Sequence, residues 1–344
     1  MTPRSVAIQG GMAFVALVLA YTTWQRSPEL QTGEVFVIDS TKNDLEKIRF
    51  EDTEGKTWTE IGKAKDAEGS FISVRLSGYD NTGVGLPSGH PGIALKQAER
   101  LVRGSEAASR MFERFAPLRA ERALGVLDPA MLKDLGLDTS KKTIEVTTRG
   151  VKRKFTIVPA PPGGSDPYLQ DQQDKKVYIV TRQILSDLQS ASTNLVERKL
   201  HTFRIEEVDR VSIDAGGKKK DLAGSRIEDY PGIRLAPAET PDKTDPTLKN
   251  WNDKVFALFP AEVLGEGEVP AVGPPLLAVR VDYSSRGRRL GFVELARGAT
   301  AATSSPTPPK IDIYARTEHS LGWVRLPPDT LNLITEAEAL VAKK

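Results

Sequence analysis

The sequence predicts an α+β protein in which an N-terminal transmembrane helix precedes two tandem copies of an antiparallel β-meander and hairpin unit with packed helices. Three observations predict this fold: an uncharged apolar segment at the N-terminus, an alternation of β-type and helical periodicity, and one order of such segments that occurs twice. At 344 residues the chain is also long for a single core. The predicted domains are an anchor over 1–26, a first repeat over 27–200 and a second repeat over 201–344.

The N-terminal segment 5–25, SVAIQGGMAFVALVLAYTTWQ, contains no charged side chain. Because a helix rises about 1.5 Å per residue, roughly 20 residues cross the ~30 Å hydrocarbon layer of a bilayer, and the segment is just long enough. Tyr21 and Trp24 lie at its outer end, where amphipathic rings favour the membrane interface. The residues predicted to form the anchor are Val6, Phe14, Leu17, Leu19, Tyr21 and Trp24.

Two other interpretations of this segment stay open. Its apolar centre, 12–20, is short enough for a cleaved export signal, and a buried core helix is a further alternative. Arg4 and the terminal amine favour an N-terminus on the cytoplasmic side of the membrane, although Arg26 at the other end of the segment opposes this orientation. The segment therefore predicts a single-pass protein of the bacterial inner membrane with the bulk of the chain in the periplasm.

The charge and cysteine content exclude several classes of function. The chain carries 48 lysine and arginine residues against 46 aspartate and glutamate residues, a net charge of +2, so no global field attracts nucleic acid. Cysteine is absent, which excludes disulfides, thiolate metal sites and cysteine nucleophiles. The absence of cysteine does not show whether the protein resides in an oxidising or a reducing compartment, because a chain without thiols is compatible with both.

The predicted β structure begins twice in the same way. The stretch 208–218, VDRVSIDAGGK, resembles 45–56, LEKIRFEDTEGK, and in both an alternation of apolar and polar residues predicts a half-buried strand followed by a hairpin turn. Helical spacing follows in both halves. The predicted helical segments are 93–102 and 108–115, either as two pieces or as one helix with a kink at Gly104, then 183–188, 248–259 and 330–342.

A constant offset relates the two halves. Tyr168 matches Tyr314 and Leu188 matches Ile334 without a gap, an offset of 146 residues (314 minus 168). Phe112 and Phe115 likewise match Phe256 and Phe259 at an offset of 144 (256 minus 112). This register predicts a tandem duplication with copies of about 150 residues, each of ordinary domain size.

The sequence carries no recognisable catalytic or cofactor motif. The three histidines, His90, His201 and His319, are scattered, and no nucleophile elbow, phosphate-binding loop or dinucleotide fingerprint occurs. We therefore predict a protein that is not an enzyme, with no catalytic, cofactor-binding or metal-binding residues.

The candidate interaction surface comprises Lys218, Lys219, Lys220, Tyr168 and Tyr314. The lysines fall beside a predicted hairpin turn, where they would contact anionic lipid or polymer, or simply discourage edge-to-edge pairing. The two tyrosines occupy matching positions after a polar loop, where they would contact a ligand or pack at a sheet edge.

One stretch resembles a known family. The run 195–213, LVERKLHTFRIEEVDRVSI, and the LGLD at 135–138, followed by a hairpin and the strand KVYIV, are similar to the bacterial family of domain of unknown function 4340. The second copy departs from the pattern, since no LGLD precedes LLAVRV and WVRL replaces the expected strand. The resemblance implies tethering by one N-terminal helix and genes beside gliding-motility-type ABC transporters, and it implies no catalytic residues.

These observations lead to one functional expectation and one alternative. We expect a non-enzymatic, membrane-anchored periplasmic accessory or scaffold protein of an ABC-transporter-linked envelope complex, with the membrane and envelope proteins as partners and no nucleic acid. The alternative is an envelope glycan- or lipid-binding module, which would use the cleft between the copies or the glycine-rich loop 79–92.

Overall fold

The computed structural model describes residues 34–66, 69–78, 99–160, 164, 166–227, 232–270, 273–299 and 311–343. The strands of the first half are β1 (Val35–Ile38), β2 (Leu45–Asp52), β3 (Thr57–Asp66), β4 (Gly69–Ser77), β5 (Arg100–Arg103), β6 (Leu118–Ala120), β7 (Arg122–Val126), β8 (Lys142–Thr148), β9 (Val151–Val158), β10 (Tyr168–Asp171) and β11 (Lys176–Ile179). Its helices are α1 (Glu106–Arg114), α2 (Pro129–Asp134), α3 (Arg182–Gln189) and α4 (Ala191–Asn194).

The second half begins with a 3₁₀ turn at Ile205–Glu207. Its strands are β12 (Arg210–Ala215), β13 (Lys218–Arg226), β14 (Ile233–Pro237), β15 (Glu262–Val263), β16 (Leu276–Ser285), β17 (Arg288–Ala299), β18 (Ile311–Thr317) and β19 (Val324–Arg325). Its helices are α5 (Pro246–Phe256) and α6 (Asn332–Ala342), the latter after a 3₁₀ turn at Pro328–Leu331.

The two large sheets share one strand order. The first runs β5-β4-β3-β2-β8-β9-β10-β11-β7 and the second β14-β13-β12-β16-β17-β18-β19-β15, with all neighbours antiparallel, and β1 pairs with β6 in a separate two-stranded sheet. When β5 is left out, each strand of the first sheet has a counterpart in the second that occupies the same place both along the chain and in the sheet. We call the first large sheet with its helices the first unit and the second the second unit.

Equivalent backbone hydrogen bonds recur in both units. Val180 N donates to Pro167 O (3.1 Å), and at an offset of 146 residues (326 minus 180) Leu326 N donates to Ile313 O (2.8 Å). The equivalence of the two sheets therefore extends to individual backbone contacts.

Alternating residues of each sheet build its core. In the first unit Ile48 and Phe50 of β2 are buried in the same cluster as Phe112 of α1, and this cluster extends to Val196. In the second, Val211 and Ile213 of β12 lie in the cluster of α5 and α6, which begins at Leu200. The two units thus have distinct buried cores, the segment 197–199 connects them along the chain, and the partly buried Val263 packs against both.

Local chemistry explains where α5 forms. Asp245 caps its N-terminus by accepting a hydrogen bond from Thr247 N (2.7 Å), and Pro246 occupies the first turn, where a missing N–H costs nothing. Trp251 then buries its ring, and its Nε1 donates to Leu333 O at 2.9 Å. This bond joins α5 to α6 beneath the sheet.

The prediction of an α+β fold is wrong. The described residues are mostly β, with 45% in strands and 21% in helices, arranged in three sheets. Residues 100–102, predicted as helix, belong to the strand β5, in which Val102 pairs with Val74 of β4. A short apolar run fits the periodicity of a helix and that of a strand equally well. The rest of that predicted helix, 93–98, lies outside the described residues.

The predicted membrane anchor and inner-membrane location are also corrected. No helix in the described part of the chain is long and apolar enough to cross a membrane. The longest, α5 and α6, have 11 residues each, about half of the ~20 that a span requires. The expected N-terminal helix, with Val6, Phe14, Leu17, Leu19, Tyr21 and Trp24, lies outside the described residues. A single-pass protein with its bulk in the periplasm is therefore not supported.

Candidate functional site

The two units meet along a seam where β5 lies against the second unit. Leu101 O accepts a hydrogen bond from Glu266 N (2.8 Å). Gly265 allows this approach, because a Cβ at that position would lie 3.1 Å from Arg100 Cα. On the same strand, Arg103 O accepts from Glu197 N (2.9 Å) in the connecting segment. The outer edge of β5 is thus covered by these two segments.

Arg100 carries the main ion pairs of the seam. Its side chain is only 10% exposed, and its Nη1 and Nη2 atoms lie 3.1 Å from Glu262 Oε1 and 2.7 Å from Glu268 Oε1. Arg325 Nε contacts the other oxygen of Glu262 at 3.0 Å, and Gly265 N donates to Glu268 Oε2 at 2.7 Å. Every charge withdrawn from water here has hydrogen-bonded partners, the condition under which such a pair is tolerated.

A second arginine joins the units beside His319. Arg103 forms an ion pair with Asp66, and its guanidinium lies 4.2 Å from the centre of the Phe71 ring. Its Nε donates to the backbone oxygen of His319 (2.9 Å). Burial, together with the Arg103 charge, lowers the pKa of the half-buried His319 imidazole below its ordinary value.

A cavity of about 380 Å³ lies between residues 196–201, which include the connecting segment, and residues 256–259 at and beyond the end of α5. Phe259 lies beyond the helix end and is 60% exposed. The guanidinium of Arg198 lies 5.9 Å from its ring centre, and Arg198 Nη1 donates to Pro260 O (3.3 Å). Aromatic and cationic groups therefore line one concave surface.

His201 and Glu318 form a buried pair behind this cavity. The His201 Nδ1 lies 2.9 Å from Glu318 Oε1, and both side chains are 5% exposed. The imidazole stacks on Phe256, with ring centres 4.6 Å apart and 6° between the planes. Within the described residues, His201 Nε2 has no hydrogen-bond partner. A histidine paired with a carboxylate can act as a general base, and among the described residues no hydroxyl group bonds to its Nε2 atom.

Tyr283 and Asn252 continue this polar cluster into the core of the second unit. Tyr283 is fully buried and donates its hydroxyl hydrogen to Asn252 Oδ1 (3.2 Å). Burial raises the pKa of the Tyr283 phenol far above its ordinary value, so it stays protonated. The hydroxyl therefore acts as a donor.

The outer face of the second sheet carries arginines stacked on aromatic rings. Arg280 and Arg289 lie 4.8 and 5.0 Å from the Phe292 ring centre, and Arg316 lies 5.0 Å from that of Trp323. Beneath them Glu294, 5% exposed, holds Arg280 and Arg316 at 2.5 and 2.7 Å. We call this group the arginine–aromatic face.

The structure does not bring the predicted interaction residues together. Lys218 and Lys219 are exposed, whereas Lys220 Nζ donates to the oxygens of Leu340 and Lys343 at the end of α6. Tyr314 is buried, and its ring lies over Gly298, where a Cβ would come within 2.5 Å of Cε2.

Tyr168 lies in the first unit. It is half-buried against a small cluster of Leu137, Val158 and Val177, and neither it nor Tyr314 belongs to the seam. The seam residues were missed because Arg100 is 162 and 168 positions away from Glu262 and Glu268, and no local pattern connects them.

Comparisons with protein-family models, with curated proteins and with solved structures found no match to this chain. Among the described residues, no group of three or more histidine, aspartate or glutamate side chains is placed to hold a metal ion.

Proposed function

We propose that this protein is a non-catalytic docking or scaffold module that holds another protein of an ABC-transporter-linked complex. The observation that carries the proposal is the ion-paired seam, in which the Arg100 side chain of the first unit pairs with Glu262 and Glu268 of the second. Two units joined by a flexible connection alone would move independently. A seam of this kind holds their surfaces at one spacing, which a scaffold requires.

The arginine–aromatic face supports a protein partner. Arginine and tryptophan are enriched among the residues that contribute most to protein interfaces. The pairing of Arg280 and Arg316 with Glu294 orients both guanidinium groups before binding, which reduces the entropy lost on association. The transporter as partner class rests on the resemblance of the run 195–213 to the family described above.

Affinity purification after crosslinking in the native cell tests the proposal. We expect a nucleotide-binding or permease subunit of an ABC transporter to co-purify, and Arg316→Ala to reduce its recovery at least severalfold. Arg149→Ala is the matched control, since Arg149 is 75% exposed on the first unit. Recovery of no transporter component with the unaltered chain would overturn the proposal.

A second candidate function is a glycan- or lipid-binding module, which the cavity at the connecting segment favours. Phe259 presents an exposed ring beside the Arg198 guanidinium, a combination that suits a ligand with an apolar part and an anionic group. Phe259→Ala should then weaken retention on glycan resin or anionic vesicles, whereas Phe36→Ala, also an exposed ring, should not. Retention without any protein partner would favour this function over docking.

A further inference from the structure

The edge strand β15 of the second unit shows how this fold accepts a neighbouring strand. Arg100 of β5 pairs with Glu262, the first residue of β15, and its Nη1 also donates to Val263 O (3.4 Å). One backbone bond, from Glu266 N to Leu101 O, joins the two segments just beyond β15. An extended strand therefore lies beside this edge, held by one backbone hydrogen bond and by an arginine paired with a glutamate, without forming a β-ladder with β15.

The strand β7 is the equivalent edge of the first unit. Glu121 N donates to Ile179 O and Ala261 N donates to Arg325 O, both at 2.9 Å. The residues just before β7 and β15 therefore make equivalent backbone hydrogen bonds. Ile179 then pairs with Arg122, and Arg325 pairs with Glu262. Arg122 consequently occupies in β7 the position that Glu262 occupies in β15, and the charge at this position is reversed.

The outer edge of β7 is open. In the described part of the chain β7 is the last strand of its sheet, and no strand pairs with its other side. Arg122 and Ala123 are exposed, Val126 is 66% exposed, and none of the ion pairs among the described residues includes Arg122. Open edges of this kind bind extended peptides through main-chain hydrogen bonds.

We propose that the open edge of β7 binds a short, extended, acidic segment of a protein partner, with a carboxylate facing Arg122. The inference rests on the proposed docking function and names the chemistry of the partner. The irregular register between β11 and β7 after Ala123 limits the pairing to a few residues at the start of the strand. An acidic side chain takes the place that Arg100 takes opposite Glu262.

Two synthetic peptides of the β5 sequence 99–105, ERLVRGS, test this proposal by fluorescence anisotropy. One keeps the sequence and the other carries Arg100→Glu and Arg103→Glu. The full chain should bind the acidic peptide about fivefold more tightly than the unaltered one, the size expected for one exposed ion pair. Adding Leu101→Pro to the acidic peptide should abolish binding, because it removes a backbone donor.

The chain offers a matched pair of variants. Arg122→Glu should reverse the peptide preference, whereas Arg234→Glu on β14, the open edge strand of the second unit, should leave it unchanged. No preference for the acidic peptide, or the same loss in both variants, would overturn the inference.

Co-purification with the Arg122→Glu chain separates this inference from the proposed function. Loss of a partner that the unaltered chain recovers supports the edge, and full recovery contradicts the edge while the docking function stands. Recovery of no partner by either chain contradicts the docking function itself.

Discussion

His201 Nδ1 lies 2.9 Å from Glu318 Oε1, although the two residues are 117 positions apart in the chain. The second carboxylate oxygen of Glu318 accepts a hydrogen bond from Phe292 N at 2.9 Å. Both side chains are only 5% exposed. The carboxylate therefore ties His201, two residues after the connecting segment, to the strand β17, and removing it leaves two donors unpaired.

Glu318→Ala should lower the free energy of unfolding by about 2–3 kcal/mol, because His201 Nδ1 and Phe292 N each lose their acceptor. Glu318→Gln should cost less, since its amide oxygen can still accept one of the two bonds. Urea unfolding followed by circular dichroism measures both. Glu121→Ala, at an exposed position, is the control and should change little. Equal losses in Glu318→Ala and Glu121→Ala would contradict this role.

Gly291→Ala should destabilise the same region by about 1–3 kcal/mol through overpacking. A Cβ there would meet the Glu318 carboxylate and lie 2.6 Å from Phe203 Cε1. Gly62→Ala is the matched control, since its Cβ would meet nothing closer than 3.5 Å and neither glycine has a left-handed backbone. Thermal unfolding should show a lower Tm for Gly291→Ala alone, and unchanged melting of both variants would count against the packing described.

Arg100→Ala should lower the free energy of unfolding by about 3 kcal/mol, because it removes the cation that the largely buried carboxylates of Glu262 and Glu268 share in the seam. Arg110→Ala removes an exposed pair with Glu106 within α1 and should cost less than about 0.5 kcal/mol. Guanidinium unfolding compares the two. Limited proteolysis should cleave the connecting segment 197–199 faster in Arg100→Ala than in Arg110→Ala, and equal rates would contradict a stabilising seam.

The sequence was sufficient for elements whose pattern is local. The alternation in 45–56 and 208–218 predicts strands, and β2 and β12 lie there, while the spacing from Ala108 to Phe115 predicts the helix that α1 forms. The strand β5 was missed because Leu101 and Val102 fit helical spacing equally well. Only its pairing with β4, more than twenty residues earlier, decides its structure.

The seam could not be predicted for a related reason. Phe115 and Phe259 match in the two halves, yet Phe115 is buried whereas Phe259 is exposed beside the cavity. A duplicated sequence predicts two similar units, but each copy's surface depends on the contact that the copies make with each other. The residues that decide this contact, such as Arg100 and Glu268, belong to no repeated pattern.

Lys220→Met should cost up to about 1 kcal/mol, because its Nζ donates to Leu340 O and Lys343 O at 3.2 and 2.8 Å, near the negative end of the α6 dipole. Lys218→Met should be close to neutral, since Lys218 is exposed and makes no ion pair with any described residue. Urea unfolding distinguishes the two. A second measurement, binding to anionic vesicles, tests the lipid contact that the sequence predicts for Lys218–Lys220. Weaker binding by Lys218→Met would support that contact.

Acidification should loosen the seam through His319. Burial first, then the Arg103 charge and to a lesser extent His201, lower the pKa of His319, while Glu197 and Glu318 oppose this only in part. Because the folded pKa lies below the unfolded value of about 6.5, the unfolded chain binds more protons between the two values. The contribution to stability is therefore complete above pH ~6.5 and is lost as the pH falls through this window.

Proton NMR of the three histidines tests this directly, with the His319 resonance assigned by its disappearance in His319→Gln. We expect that resonance to titrate below the ordinary histidine range. The fall in unfolding free energy between pH 7.5 and pH 5.5 should be smaller in His319→Gln than in the unaltered chain, because the glutamine binds no proton in either state. A His319 resonance that titrates at or above the ordinary histidine value, or an unchanged pH slope in the variant, would show that burial beside Arg103 does not control this group.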